Sequence, residues 1–348
     1  MRRLRTIATG FLVLGLIAGC SSSSKSDDAA GGGKKGLDKV TYVTGLGSFG
    51  REAYAWYGVD KGFFKAEGID LTVEPGKAGA ANLALIESGR AQFAAIDYSG
   101  AIVDYGKNTD TNFKIVDAIN QRTTVAIMTR QSSNVSGPAD LIGKKVGVQA
   151  GAVPQTLFPA YARLAGLTDA QIKQVQFVPA QNPQLLPGLL ASKATVGIGQ
   201  FVVGQPAVQT ALGSSDKVNV LPYSKYLGDL YGNVLVASNK LVSSNPDLIK
   251  RFNRAYNKSL AASLDDPDGT AAVLQKAVQA PQPAAAAAAE VRLSKPYCGT
   301  GDEIGTMDET KVARGIAILQ GAGLFANTFD PSKMVAFDLV PKASTAQG

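Results

Sequence analysis

The run Phe49-Gly-Arg-Glu-Ala-Tyr-Ala-Trp-Tyr-Gly-Val-Asp-Lys-Gly-Phe-Phe-Lys-Ala-Glu-Gly-Ile-Asp-Leu-Thr-Val73 decides the fold. Arg51 to Ala66 is compatible with a helix. Asp70 to Glu74 (D-L-T-V-E) then reads as a strand, closed by Pro75-Gly76. Just upstream, Lys39 to Thr44 (K-V-T-Y-V-T) is β-branched and aromatic, the composition of another strand. Trp56 is the one tryptophan of the chain. Its helical spacing with Tyr57, Asp60 and Phe63 assigns it to the core.

The alternation continues outward from this unit. Ala80 to Ser88 reads as a helix stopped by Gly89, and Phe93 to Ile96 as a short apolar strand. Lys114 to Val116 and Thr124 to Met128 follow. A new unit opens near Ser136-Gly137-Pro138. It has strands at Val146 to Val148, Val175 to Val178, Val196 to Ile198 and Val218 to Leu221. Between them, Leu157, Phe158, Tyr161, Leu164 and Ala165 share one helix face, with Pro159 either kinking that helix or marking its start. Tyr231 to Ala237 is a further strand. Asn245-Pro246-Asp247 then starts a helix with a capping side chain, a proline and a first-turn acid. Six alanines from Ala284 to Ala289 are inexpensive helix. Strands alternating with helices predict α/β layers around mostly parallel sheets.

The first residues are of another kind. Arg2, Arg3 and Arg5 precede an apolar run from Ile7 to Ala18 that is too short to span a bilayer. This is the layout of a signal peptide over residues 1–19. It ends in Leu16-Ile17-Ala18-Gly19-Cys20, which resembles a bacterial lipobox, with Cys20 as the first mature residue and the lipidation site. Residues 20–37 then form the lipidated cysteine and a flexible tether rich in Ser, Gly, Ala and Lys, with almost nothing apolar to bury. Acyl chains such as palmitate, not a protein helix, would hold the chain at the extracytoplasmic face of the cell membrane.

Composition excludes several functions. The chain contains no histidine, which removes His-based acid/base catalysis, Ser-His-Asp and Cys-His nucleophile systems, and His-ligated metals. No carboxylate or lysine spacing suggests other catalysis, and no metal or cofactor is expected. Gly45-Leu46-Gly47-Ser48-Phe49-Gly50 fits neither the phosphate-loop pattern nor G-x-G-x-x-G. Loss of residues 1–19 removes three arginines and leaves 32 Lys+Arg against 28 Asp+Glu, a net +4. The body has no dense basic run, so nucleic acid is not an expected partner. Cys298 in Pro296-Tyr297-Cys298-Gly299 is expected in a turn, as a packed thiol without a disulfide partner.

The quoted run resembles the opening helix and second strand of solute-binding proteins of ABC transporters. The subgroup takes up nitrate, sulfonates, taurine and thiamine-pyrimidine precursors. Its K-G-F-F-x-x-E-G-I/L-x-L/V core stands at Lys61 to Leu71. Ala80 to Phe93, Asp140 to Gly151 and Leu230 to Pro246 match as well, and Tyr231-Gly232-Asn233 is closer to the thiamine-precursor branch. The resemblance implies an α/β, type II periplasmic-binding fold of two lobes joined by a two-strand hinge. Lobe 1 would span 38–130 plus 235–345, and lobe 2 would span 131–234. It also implies a monomer that captures a small organic solute between the lobes and delivers it to ABC permease subunits. Pyrimidine-synthesising enzymes share the fold but need catalytic histidine. One departure is at Ala194-Thr195, after Ser192-Lys193, where the family usually has Asp-Ala.

In open α/β sheets ligands sit beyond the strand C-termini. That geometry nominates Ser48, Phe49, Arg51, Asp97, Tyr98, Gln121, Gly151, Gln155, Gln200, Phe201, Tyr231 and Asn233 as ligand-binding. Phe49, Tyr98, Phe201 and Tyr231 are expected to stack, and the Gln and Asn side chains to read ring edges, which favours a flat heterocycle. A sulfonate, taurine or nitrate site would instead use Arg51, Arg122 and the helix start at Gly151. Each nominee also has a structural reading: Asp97 as a helix cap, Arg51 and Arg122 as surface residues, Phe49 as a core cap. Changing Cys20 to Ser is expected to release the mature protein from membranes or block its processing, as followed by fractionation. Normal maturation with full membrane retention of Cys20→Ser would refute the anchor.

Overall fold

Residues 36–149, 152–181 and 183–342 are described in the computed structural model. The expected signal peptide, Cys20 and nearly all of the tether lie outside the described residues, as does Gly151. Ten strands of five or six residues run in chain order. They are β1 (Asp38–Val43), β2 (Ile69–Glu74), β3 (Phe93–Asp97), β4 (Phe113–Ala118), β5 (Val125–Arg130), β6 (Lys145–Gln149), β7 (Gln176–Ala180), β8 (Gly197–Phe201), β9 (Val218–Pro222) and β10 (Asn233–Ser238). The helices that frame the site are α1 (Tyr54–Asp60), α2 (Gly79–Glu87), α3 (Tyr98–Lys107), α4 (Val153–Leu164), α5 (Gln205–Leu212), α6 (Pro246–Asp265), α7 (Ala284–Cys298) and α8 (Glu309–Gly321).

The strands form two open sheets, ordered β2-β1-β3-β10-β4 and β9-β5-β8-β6-β7. In the first, β1 runs parallel to β2 and β3, and β10 runs antiparallel to β3 and β4. In the second, β6 runs parallel to β7 and β8, and β5 runs antiparallel to β8 and β9. Each sheet therefore has one reversed strand next to its third parallel one. The reversed strand is the one through which the chain enters the second sheet, at Val125, or returns to the first, at Asn233. The interior strands are apolar on both faces, as in Phe-Ala-Ala-Ile-Asp of β3 and Val-Ala-Ile-Met of β5.

The quoted stretch folds as expected with one interruption. It forms a 3₁₀ turn at Gly50–Glu52, then α1, and then a separate turn of helix at Phe63–Ala66. Gly62 stands between the helices at φ +72°, a backbone geometry that ends a helix and that glycine adopts without steric cost. Trp56 is buried against Ala271, Leu274, Ala287 and Ala288, as its spacing indicates. Pro159 sits inside α4, which starts at Val153 with Pro154 in its first turn. Cys298 is a correction. It closes α7 rather than lying in a turn, because Pro296 is accommodated inside that helix and Gly299, at φ +82°, ends it. Burial pushes its thiol up to about 12, which leaves it unreactive. Among the described residues no helix is long and apolar enough to cross a membrane.

The first sheet packs on α6 through Phe93, stacked on Phe252 with centroids 3.9 Å apart. Beside them, the hydroxyls of Tyr42, Tyr54 and Tyr256 form a closed ring with O···O distances of 2.8, 2.9 and 3.0 Å. Each hydroxyl can donate once and accept once, so the burial of all three leaves no donor unpaired. At the end of β4 the register slips by one residue opposite β10, between Leu235 and Val236. The Val116 carbonyl is taken up by Asn253 Nδ2 at 2.8 Å. Next to it, Asp117 is fully buried, and its Oδ2 accepts from Asn257 Nδ2 at 2.7 Å. The other oxygens of this pair, Asp117 Oδ1 and Asn257 Oδ1, are buried acceptors without a donor. A proton on the carboxyl supplies the donor that the acid–amide pair lacks. Burial drives the group the same way, holding it well above the usual carboxylate range.

A raised carboxyl makes stability fall with pH. The folded state holds its proton above the unfolded value of about 3.9. Stability is therefore full below that pH and declines by up to about 1.4 kcal/mol per pH unit as pH rises toward the folded value. Asp117→Asn keeps the pairing and removes the titration. In urea unfolding it is expected to match wild type near pH 4 and to exceed it by more than about 1 kcal/mol at pH 7. A pH-independent difference would show that Asp117 is ionised in the fold.

Candidate functional site at the facing sheet edges

The C-terminal ends of β1, β3 and β4 and the start of β10 share one edge of the first sheet. The C-terminal ends of β6, β8 and β9 and the start of β5 share one edge of the second. Both crossings, residues 119–124 and 223–232, join these edges, so the loops nominated from the sequence converge on the same junction.

Asn120 ties the crossings together. Its N–H donates to Asn233 O at 3.1 Å, and its O accepts from Gly232 N at 3.0 Å. Its Oδ1 accepts from Asn233 N at 3.0 Å, and its Nδ2 points at Cys298 Sγ at 3.3 Å. Thr123 N donates to Leu230 O at 2.8 Å, and Tyr98 N to Gly232 O at 2.9 Å. A Cβ on Gly232 would sit 2.8 Å from Asn120 Cβ and 3.0 Å from Arg122 O, so the close approach requires glycine. From the other side the C-terminal segment braces the knot. Gln121 Nε2 donates to Glu303 O and Thr306 O, both at 2.9 Å, and Gln121 O accepts from Lys311 Nζ at 2.7 Å.

This bracing corrects three expectations. Tyr98 does not face an open cleft. It is 0% exposed, because as the first residue of α3 it turns under the capping Asp97 toward α8, where a Cβ on Gly315 would meet its Oη at 3.3 Å. Tyr231 is 1% exposed. Its ring meets Tyr98 edge-on at 5.3 Å, its Oη accepts from Asp308 N at 2.9 Å, and Lys311 Nζ lies 4.1 Å above it. These two aromatic rings therefore stack within the crossing and not on a solute. The Gln121 amide is likewise committed to backbone carbonyls. Arg122 is exposed, donates to Pro296 O and lies over Tyr297, so it belongs to the end of α7.

The other nominees remain at the junction. Ser48 and Phe49 follow a short ribbon, Leu46–Gly47 against Gly76–Lys77, and are half-buried. Asn82 Nδ2 shapes this loop from α2 by donating to Thr44 O, Gly45 O and Ala95 O. Arg51 lies over the Phe49 ring at 4.3 Å and pairs with Glu290 of α7 at 3.0 Å. Asp97 is the N-cap of α3, with Oδ1 accepting from Ser99 N and Gly100 N. Burial pushes its carboxyl up to about 6 against the pull of those N–H groups. Asn233, paired with Asp97 in the ladder, brings its Nδ2 to 2.9 Å from where a Gly45 Cβ would stand. On the second edge, Gln200 Oε1 accepts from Phe201 N at 3.1 Å, and both residues are half-buried. Gln155 lies half-buried at the start of α4. The Ala194-Thr195 departure precedes β8, at the end of that strand opposite Gln200 and Phe201, and so lies away from the junction.

Sequence reasoning missed Glu52, Asn82, Asn120 as the tie, and Glu290. Glu52 is buried beside Gly45, whose N–H it accepts at 3.2 Å. Burial raises its carboxyl, and Arg51 and the Gly45 N–H pull it back. The available signal was polar residues inside apolar helical runs, Asn82 in Ala-Asn-Leu-Ala-Leu-Ile and Glu290 after six alanines. The alanine helix proves to be well placed. α7 touches the Gly50–Glu52 turn, the Val202–Gly204 turn and α5, and so reaches both sheet edges. Small side chains permit this, and a Cβ on Gly50 would meet Ala287 O at 2.1 Å.

The junction thus offers two aromatic rings, several amides, and three carboxyls against one guanidinium. Two of these carboxyls, Glu52 and Glu290, are buried and bonded within the protein, so they set the charge of the junction, and that charge works against an anion. Two surface depressions, of about 310 and 550 Å³, contain none of the nominated residues. Among the described residues, no three His, Cys, Asp or Glu side chains come together as metal ligands.

A sequence-family model described as NMT1/THI5 like matches residues 53–270. The riboflavin-binding protein RibY of Chloroflexus aurantiacus is 24% identical over 277 residues, 77% of this chain and 76% of that one. Among solved structures, the periplasmic aliphatic sulphonate binding protein SsuA from Escherichia coli superposes with a TM-score of 0.67 at 16% identity, over 85% of this chain and 91% of that one. The zinc-bound ligand-binding component of an ABC-type import system from Staphylococcus aureus gives 0.64 at 15%, over 89% and 99%. The desulfurization enzyme DSZB gives 0.55 at 16%, over 87% and 97%. These structural likenesses establish the periplasmic-binding fold, which serves both binding proteins and an enzyme.

Proposed function

The chain belongs to the NMT1/THI5-like family, and from that premise we propose that it is the solute-binding lipoprotein of an ABC importer. It is anchored through Cys20 at the extracytoplasmic face of the membrane. Its two lobes divide at the crossings 119–124 and 223–232 rather than at 130 and 234, because Val125–Arg130 belongs to the second sheet and Asn233 to the first. They close by a hinge at the Asn120 crossing and hand a captured solute to the permease. The solute is a flat heterocycle carrying N–H donors, such as a pyrimidine or a related ring compound. The observation that carries this reading is the excess of carboxyls over guanidinium at the first sheet edge, where Glu52, Asp97 and Glu290 surround Arg51 beside the half-buried Phe49 ring and disfavour an anion. The riboflavin-binding relative supports it, since riboflavin is a flat, donor-bearing ring system. Binding without turnover is supported by a chain that has no histidine for acid/base work.

Titration calorimetry with riboflavin and an aminopyrimidine, against taurine and nitrate, tests the class. A ring compound is expected to bind and to be recovered unchanged. Phe49→Ala and Phe201→Ala are each expected to lower affinity about fivefold or more, since one ring contact contributes on the order of 1 kcal/mol beyond its area. Affinity should rise as pH passes upward through about 6, where Asp97 becomes a charged acceptor. Taurine or nitrate binding that is lost in Arg51→Ala and unaffected by both Phe changes would replace the heterocycle with an anion. Chemical conversion of the ring compound would overturn binding without turnover.

A further inference from the structure

The Phe49 edge carries a guanidinium poised for an anion and then cancelled. Arg51 keeps 18% of its side chain exposed at the junction and rests on the Phe49 ring. Among the described residues Nη1 alone has a side-chain partner, Glu290 Oε2 at 3.0 Å, which leaves Nε and Nη2 as donors. Glu290, in contrast, is 3% exposed and held from three sides. Its Oε2 also accepts from Arg51 N at 3.3 Å, and its Oε1 accepts from Gln282 Nε2 at 3.0 Å. Gln282 Oε1 in turn accepts from Gly50 N at 3.0 Å, which locks the acid to the turn it neutralises. Glu52 on that turn faces the same guanidinium.

A buried ion pair is a poor source of stability, because desolvating two charges offsets most of their attraction. An alanine at 290 would have continued the six-residue alanine run without interruption. The acid stands on α7, which touches turns of both sheet edges. It therefore sets the charge of the junction, and its hydrogen bonds to Arg51 and Gln282 also tie α7 to the Gly50–Glu52 turn. We propose that Glu290 is a specificity-determining residue that cancels Arg51 and so keeps anions out of the junction. This rests on the reading of the junction as the solute site. Its consequence is that the one carboxyl hydrogen-bonded to the guanidinium, with Glu52 and Asp97 left in place, decides whether Arg51 can hold an anion.

The experiment uses the full mature chain, with methanesulfonate and inorganic sulfate as probes that need not resemble the natural solute. Wild type is expected to give no measurable heat with either. Glu290→Gln, which preserves volume and the contact with Gln282, is expected to gain at least tenfold in methanesulfonate affinity over the wild-type detection limit. Glu290→Gln combined with Arg51→Gln is expected to lose that gain. If the Gln variant fails to fold, Glu290→Ala extends the alanine helix and carries the same test. A folded variant that binds neither anion better than wild type overturns the proposal. So does a gain that survives the loss of Arg51, or a wild type that already binds methanesulfonate through Arg51. If no heterocycle binds wild type while the Glu290 variants still gain the anion, the solute reading fails and the role of Glu290 stands.

Discussion

The arrangement depends on one asparagine at the place where the chain passes twice between two sheets. Two reversed strands, β5 and β10, must start at the same junction, and their lead-in segments must lie side by side without leaving backbone groups unpaired. Asn120 meets that demand with four polar contacts, using both main-chain and side-chain groups. Gly232 supplies the space. Every loop that could touch a solute is placed relative to this tie. The aromatic residues nearest to it, Tyr98 and Tyr231, are therefore consumed in packing it.

The charge pattern follows from the same geometry. Loops at strand C-termini usually collect donors, and Arg51 begins as one. The alanine helix then lies against the turn that bears it and brings Glu290 into contact across 239 residues of sequence. Glu52 is buried in the Gly50–Glu52 turn and Asp97 is half-buried at the end of β3, and their acceptor oxygens are supported by nearby N–H groups. The result is a junction whose polar side chains mainly accept. Phe49 and Phe201 supply one aromatic face at each sheet edge.

Much of the fold was legible because it is local. Alternating strands and helices, the Asn245 cap and the helical spacing that turns Trp56 inward all follow from neighbours within a few residues. The end of α1 near Gly62 was less so, since a glycine inside a helical pattern can be tolerated or can stop it. The site was legible only as a set of loops. A tyrosine at a strand end reads as cleft-facing until the distant helix α8 is seen to cover it, as happens to Tyr98. Cys298 reads as a turn residue until Pro296 is found inside α7. The six alanines carry no chemical signal, yet their smallness is what lets α7 approach both edges. For Tyr98 and the alanine helix the deciding partner lies far away in sequence, where spacing and composition carry no information. For Cys298 it is Pro296, two residues away, whose accommodation inside a helix its own propensity argues against.

The central claim is that this chain holds an intact, donor-bearing ring compound at the junction. A native mass spectrum of the mature protein purified without refolding tests it most directly. The expected result is an adduct of one small molecule per chain that dissociates on denaturation as an unmodified nitrogen heterocycle. A bound sulfonate or other anion at that stoichiometry, or a covalently altered product, would contradict it.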